Sequence, residues 1–404
     1  VIGGATTSAK HTAVKIAPAY HGPTVYVPDA SRSVGVVGAL VSEEKRDPFI
    51  SRVREDYEQT REQYERRTIE RDLIPLEEAR RARLSIDWSA YSPVKPAHPG
   101  ITTLENYALK ELCDYIDWTP FFQVWELNGR YPNIFDNPTQ GEQARQLFAD
   151  AGRLLDRIVS ERLLTAKAVV GLFPAASNGD DILLYPDGSH RETHVRLCHL
   201  RQQLRSPSRK ANLCLSDFVA PVKTGITDYI GAFVVTTGLG AIEAAARFER
   251  EHDDYHAIML KALADRLAEA MAERMHQLVR SELWGYAAGE KLSHEALIAE
   301  KYNGIRPAPG YPACPDHSEK GKLFELLDAE RRIGVRLTES FAMWPVASVS
   351  GWYFAHPESR YFAVGRIGRD QVVDYAARKG LTLSEAERLL QPNLGYDPAG
   401  VKER

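Results

Sequence analysis

The chain has 404 residues, 44% of them hydrophobic and 26% charged, with a formal net charge of −4. That length and composition describe a globular protein with room for one large domain and a smaller one. So small a charge gives nucleic acid or an anionic membrane no electrostatic hold. No apolar run approaches the roughly 18 residues that cross a bilayer, and the N-terminus lacks the basic, apolar, small-residue order of a signal peptide. A cytoplasmic protein without nucleic-acid or membrane partners is expected.

Residues 1–40 alternate short apolar runs with glycine turns, "VIGG", "PTVYVPD" and "SRSVGVVGAL". This is the rhythm of the last β-α-β-α steps of a doubly wound sheet, whose ligands sit at the carboxyl ends of the strands. Forty residues cannot complete such a sheet, so the chain is expected to begin inside a domain. Residues 41–99 form a charge-dense helical arm, "EEKRDPFISRVREDYEQTREQYERRTIERD", followed by the proline-rich linker "WSAYSPVKPAHPG" at 88–100. Residues 100–404 are expected to be one large domain. There, strand-like runs at 168–173, 181–186, 229–238, 347–354 and 360–367 gather around helical periodicity at 140–163, 240–284, 293–302, 318–332 and 368–390. The strands do not alternate regularly with helices, which predicts an α+β domain with a mixed or antiparallel sheet.

Cys113, Cys198, Cys214 and Cys314 form no CxxC pair and are expected to be reduced and mostly buried. Cys314 with Asp316 and His317 would make half a zinc site, but no second ligand pair accompanies them, so a structural role is favoured. There is no nucleophile elbow, phosphate-binding loop, HExxH or dinucleotide fingerprint, which removes support for hydrolysis, phosphoryl transfer and hydride transfer.

What remains is a set of polar and aromatic residues in rigid surroundings: Asp117 in "YIDWTPFF", Arg306 and Tyr311 in "GIRPAPGYPACPDH", and Tyr361 and Phe362 in "HPESRYFAV". Each proline fixes φ and removes a donor, so the 304–317 stretch is neither a helix interior nor a central strand. A ligand matching the set carries a carboxylate for Arg, a cation for Asp and a flat ring for the aromatic faces, as S-adenosylmethionine does. Taken singly, each charged residue fits a structural ion pair better. Asp265, Glu269 and Glu273 recur every four residues on one helix, which describes a solvated face or, alternatively, a negative face toward a cation that Glu300 would join.

Many blocks, among them "GGATTSAKHTAVKI", "DWTPFF", "HDDYHAIMLKALADRLAEA", "GIRPAPGYPACPDH", "LTESFAMWPVASVSGWYF" and "PNLGYD", resemble the cobalamin-dependent methionine synthase family in order along nearly the whole chain. The resemblance implies that residues 1–40 are the end of a Rossmann-like cobalamin-binding domain. It implies that 100–404 are the reactivation domain, a twisted, mainly antiparallel sheet with surrounding helices that binds S-adenosylmethionine. Asp117, Arg306, Tyr361 and Phe362 match the family's S-adenosylmethionine contacts, and Glu269 and Glu300 match carboxylates near the sulfonium. Tyr311 matches a tyrosine of the same site that faces the cobalamin, while Gly3, Gly4 and Ala30 match the rim around its nucleotide tail. The segment carrying the cobalt-ligating His, the zinc module for homocysteine and the folate barrel are absent from the 404 residues, so no metal ligand is expected here. The resemblance thus implies a fragment that reductively remethylates cobalamin with S-adenosylmethionine, alongside the missing N-terminal modules and a flavodoxin-type electron donor, without making methionine itself. The rival readings are a non-catalytic S-adenosylmethionine sensor and a standalone methyltransferase. The latter calls for a glycine-rich loop and an acidic ribose anchor, which the large domain lacks.

Overall fold

The structure, a computed structural model, describes residues 2–3, 8–20, 22–27, 30–42, 45–69, 73–186, 193–205 and 210–398. It divides into two compact units, Val1–Leu73 and Ile74–Arg404. Among the described residues no helix is long and apolar enough to cross a membrane.

In the first unit β1 (Ile2–Gly3) pairs in parallel with β2 (Tyr26–Val27), and the helical stretch Ala9–Ala19 connects them. Helix Ala30–Val41 follows β2, as a βαβα rhythm requires. The charged segment forms a 24-residue helix, Arg46–Ile69. It is not a detached arm: the Tyr26 amide donates to Tyr57 Oη at 2.8 Å, and Arg61 Nη1 donates to the Ala13 carbonyl at 3.1 Å.

The boundary therefore falls after residue 73, where the sequence suggested 40 and 99. The segment from Ile74 to Pro99 packs onto the large unit because its backbone finds partners there. Ile74 N donates to Gln203 O at 2.9 Å and His98 N to Leu283 O at 2.9 Å, while Trp284 Nε1 donates to Val94 O at 2.8 Å. A proline-rich strip has few amides to satisfy and can lie against a surface in extended form.

The large unit is built on one antiparallel sheet. Its strands are β3 (Gly100–Tyr107), β4 (Thr165–Asn178), β5 (Asp181–Leu184), β6 (Val195–Cys198) and β7 (Asp228–Leu239); a separate hairpin, β8 (Arg336–Leu337) with β9 (Met343–Trp344), precedes β10 (Ser348–Tyr353). The order is β10-β7-β4-β5-β6, with β3 also on β4. The 14-residue β4 keeps β7 on one side and exchanges β3 for β5 on the other near residues 172–175, so the sheet curls.

One sheet face carries helix Asp254–Leu278, whose buried Ala257, Leu260, Leu263, Leu267, Met271 and Met275 lie on its core stripe. The other face carries Glu319–Leu327 and Ala329–Ile333. Strand-like periodicity at 360–367 does not become a sheet strand; it is extended chain held by Val364 N donating to Pro312 O at 2.8 Å and by a bridge from Ile367 to Leu394. Three expected helices are each broken in two at a left-handed residue, His252, Asp328 or Gly380, with φ of 58°, 50° and 72°. The four cysteines are free thiols, three of them buried.

Beyond β5 and β6 the chain is tied by buried charge. Arg201 donates from Nε to Asp180 Oδ1 at 2.7 Å and from Nη2 to Asp217 Oδ1 at 2.8 Å, while Arg80 reaches Asp180 Oδ2 at 2.8 Å. Burial raises the Asp180 pKa, yet Arg201 and Arg80 outweigh it and hold the carboxyl below its usual range.

Asp228, at the start of β7, has no such cation. It accepts from Ala220 N at 2.9 Å and Tyr229 N at 2.8 Å, and burial pushes its pKa up from 3.8 to about 6. An acid that binds its proton more tightly when folded adds stability that is complete below about pH 4 and lost as pH rises through about 6. Urea titrations at pH 4.5 and 7.5 should therefore show wild type losing roughly 2 kcal/mol more than Asp228→Asn across that interval.

Candidate functional site

The site starts from three residues, Ile305 to Pro307, that pair with the open edge of β10 and the residue after it. Ile305 and Phe354 exchange backbone hydrogen bonds at 3.0 Å each, and Trp352 N donates to Pro307 O at 2.9 Å. An edge position tolerates prolines, which have no amide to offer a further strand. Alternation along extended chain then sends Ile305 into the core shared with Trp352 and Phe354, and Arg306 to the opposite face, beside Tyr353 and helix Asp254–Leu278.

There the Arg306 guanidinium is held from several sides. Nη1 donates to Tyr302 Oη at 2.7 Å and faces His276 Nδ1 at 3.3 Å, and Nη2 lies 2.8 Å from Glu273 Oε2. Its backbone amide donates to Tyr361 Oη at 3.0 Å. Burial alone would weaken the Arg306 cation, but Glu273 more than compensates and keeps it charged.

His276 is fully buried and stacks on the Tyr353 ring, centroids 5.0 Å apart, which stacks in turn on Phe233 at 4.6 Å. Burial first, then Arg306 and Arg280, push its pKa well below 6.5, so it is a neutral acceptor at physiological pH. Arg280 sits 4.0 Å over the Tyr302 ring and pairs with Glu290 at 2.7 Å. The cluster is thus two arginines and two carboxylates around a neutral imidazole and several phenols. It holds no activated nucleophile or free base, and suits binding and orientation of a ligand that carries its own reactivity.

The sequence candidates distribute unevenly. Arg306 and Tyr361 meet directly, with Tyr361 still 42% exposed. Glu300 is exposed, at φ 52°, and is close enough to Tyr302 and Tyr361 to act on their charge. Glu269 is exposed one turn before Glu273 on the same helix. Tyr311 is 62% exposed on the proline wall. Phe362 packs between two apolar clusters and against Phe218, so much of its ring serves the core. Asp117 caps helix Trp118–Val124, its Oδ1 accepting from Thr119 N at 3.0 Å, and forms no hydrogen bond or ion pair with the Arg306 cluster among the described residues.

Of the expected cobalamin rim, Gly3 ends β1 and Ala30 opens the helix after β2. Gly4 lies outside the described residues. Asp316, weighed as a zinc ligand, is instead paired with Lys379 Nζ and bonded by Tyr375 Oη, both at 2.6 Å. Among the described residues no group of three or more His, Cys, Asp or Glu is placed to hold a metal ion.

Sequence reasoning missed Tyr302, His276 and Arg280, and left Glu273 in a charge stripe read chiefly as solvated. Their signal was spacing: Glu273, His276 and Arg280 fall at i, i+3 and i+7, one helix face. Two surface cavities of about 300 and 290 Å³, one bordered by Arg83 and Lys223 and the other by Trp344 and Asp265, share no lining residue with this cluster.

The large unit is an antiparallel sheet domain with an arginine seated on its edge beneath a long helix. The family model for the vitamin B12-dependent methionine synthase activation domain matches residues 108–380. The chain is also similar to a solved structure described as the MetH reactivation domain bound to AdoHcy, with 54% identity and a TM-score of 0.78, covering 80% of this chain and 99% of that one. The chain belongs to the vitamin B12-dependent methionine synthase activation-domain family.

The wall depends on Gly310, which turns at φ 93° with His317 packed where a Cβ would stand. Gly310→Ala is expected to cost about 1 to 3 kcal/mol of stability by strain and collision. Thermal melts should show partial recovery when His317→Ala is added, since the collision is relieved and the φ strain is not.

Proposed function

We propose that this chain binds S-adenosylmethionine and its demethylated product S-adenosylhomocysteine at the Arg306 wall, and so serves the reductive remethylation of cobalamin within a larger methionine synthase. The observation that carries the reading is Arg306: half-buried, charged, fixed at backbone and guanidinium, and placed beside the exposed ring of Tyr361. The ligand's carboxylate takes the guanidinium fork and its adenine takes aromatic surface. The AdoHcy-bound relative supports this choice of ligand.

The remaining contacts are proposed in the same frame. Tyr361 and Phe362 offer ring faces, Glu300 and Glu269 face the sulfonium, and Asp117 approaches from its own helix. Tyr311, exposed on the wall, turns toward the cobalamin. Cobalamin, when bound, supplies the nucleophilic metal centre that accepts a methyl group. In the first unit Gly3 is the carboxyl end of β1 and helix Ala30–Val41 starts just beyond that of the parallel β2, where ligands of such sheets bind, and this fits a cobalamin rim there. The lower axial His, the homocysteine and folate modules and a flavodoxin-type electron donor are assigned to other parts of the system.

Arg306→Ala is expected to weaken binding of both S-adenosyl ligands by about 2 to 4 kcal/mol, because a charge-assisted pair is lost and a carboxylate is left without its partner. Calorimetry on the folded variant decides it, an unchanged Kd removing Arg306 from the site.

The exposed carboxylates are tested by charge. S-adenosylmethionine is a sulfonium and S-adenosylhomocysteine is not, so Glu269→Gln with Glu300→Gln should lower the preference for the cation by about 1 kcal/mol, less at high salt. Equal preference ratios in wild type and double variant would leave both carboxylates as surface charges without a role in the site.

A further inference from the structure

Resting on that reading, we infer that Glu273 determines the site's specificity for an α-amino acid over a plain carboxylic acid, by exchanging partners when the ligand arrives. Glu273 Oε2 lies 2.8 Å from Arg306 Nη2, while Oε1 is buried without a hydrogen-bond partner. A buried carboxylate oxygen that accepts nothing is costly. Tyr353 Oη and Arg280 Nη1 nearby are likewise buried without partners, but the groups that touch the Arg306 guanidinium and amide are committed. Tyr302 Oη and His276 Nδ1 take the Nη1 side of Arg306, Arg280 is paired with Glu290, and Tyr361 Oη receives the Arg306 amide. The side of the guanidinium left for a ligand is therefore the one that Glu273 already neutralises.

A lone carboxylate entering there places a second negative charge on one guanidinium, next to a neutral His276 that cannot assist it. An α-amino acid brings the remedy with it. Its carboxylate draws Arg306 away from Glu273, its α-ammonium moves onto Glu273 and satisfies Oε1, and one ion pair becomes two with no change in net charge. S-adenosylmethionine and S-adenosylhomocysteine share this zwitterionic end, so the selection is independent of the sulfonium.

The probes are S-adenosylhomocysteine and its analogue lacking the α-amino group, titrated calorimetrically into the full chain. Wild type should bind the amino acid about 10- to 100-fold more tightly, the usual worth of a charge-assisted hydrogen bond at a buried site. In Glu273→Gln that ratio should fall to within about threefold, with the desamino analogue held as well as before or better. Arg306→Ala should weaken both probes together.

A wild-type ratio near one, or a ratio unchanged by Glu273→Gln, overturns the inference and leaves the Arg306 reading intact. Failure of Arg306→Ala to weaken either probe overturns that reading itself. The wild-type ratio needs no variant, so the test stands even if Glu273→Gln does not fold.

Discussion

The site hangs on three backbone hydrogen bonds that lay residues 305–307 along the open edge of β10. Without them Arg306 would be a long, mobile side chain in a loop. With them its Cα is fixed to the sheet, and alternation decides which face it serves. The close approach requires Gly351 in β10, since a Cβ there would lie 2.8 Å from the Pro307 carbonyl oxygen. The prolines then complete what the hydrogen bonds begin: they restrict the chain in the unfolded state as well, so less entropy is lost when the wall forms.

Two arginines held in charged clusters, Arg201 fully buried and Arg306 partly so, show how similar residues can be matched differently by their partners. Arg201 is saturated: Asp180, both oxygens of Asp217 and the Asn212 carbonyl receive its Nε, Nη1 and Nη2 groups at 2.7 to 2.8 Å. It clasps the β4–β5 turn to the 212–217 segment, and a ligand could reach it only by breaking that clasp. Such a cluster fixes one arrangement of chain, and its net contribution to stability need not be large, because desolvation offsets much of the attraction. Arg306 is equally charged but incompletely matched, with the Glu273 Oε1 atom beside it unpartnered. The binding role proposed for Arg306 draws on that incomplete matching in a rigid frame, which Arg201 does not offer.

The parts of this site that were legible in the sequence are those encoded by composition. A run with four prolines and two glycines announces a rigid irregular wall wherever it packs, so Arg306 and Tyr311 stood out. A mixed or antiparallel sheet followed from apolar runs without helix alternation, and the sheet of the large unit is antiparallel. What stayed hidden depends on helix azimuth. Asp265, Glu269 and Glu273 are four residues apart and drift by about 40° per step at 3.6 residues per turn. That drift carries the stripe from half-buried through exposed to buried. Only the position of Arg306, more than thirty residues later in sequence, shows which carboxylate meets it. The proline-rich strip at 88–100 misled for the opposite reason: its composition is that of a linker, and the Trp284 indole and the Leu283 carbonyl that hold it lie nearly 200 residues away.

The neutrality of His276 joins these threads. A protonated imidazole between Arg306 and Arg280 would be a third cation in one buried cluster, and burial with both arginines prevents it. Kept neutral, the ring can accept from Arg306 and stack on Tyr353, so it carries the position of the sheet to the guanidinium without adding charge. A neutral, enclosed imidazole flanked by two cations is a poor proton shuttle across the physiological range. The chemistry compatible with this cluster is therefore one in which the ligand brings its own leaving group and its own charge, and the protein contributes a fixed place to stand. A methyl attached to a sulfonium meets that description, since breaking its bond to sulfur releases a neutral thioether and asks for no proton.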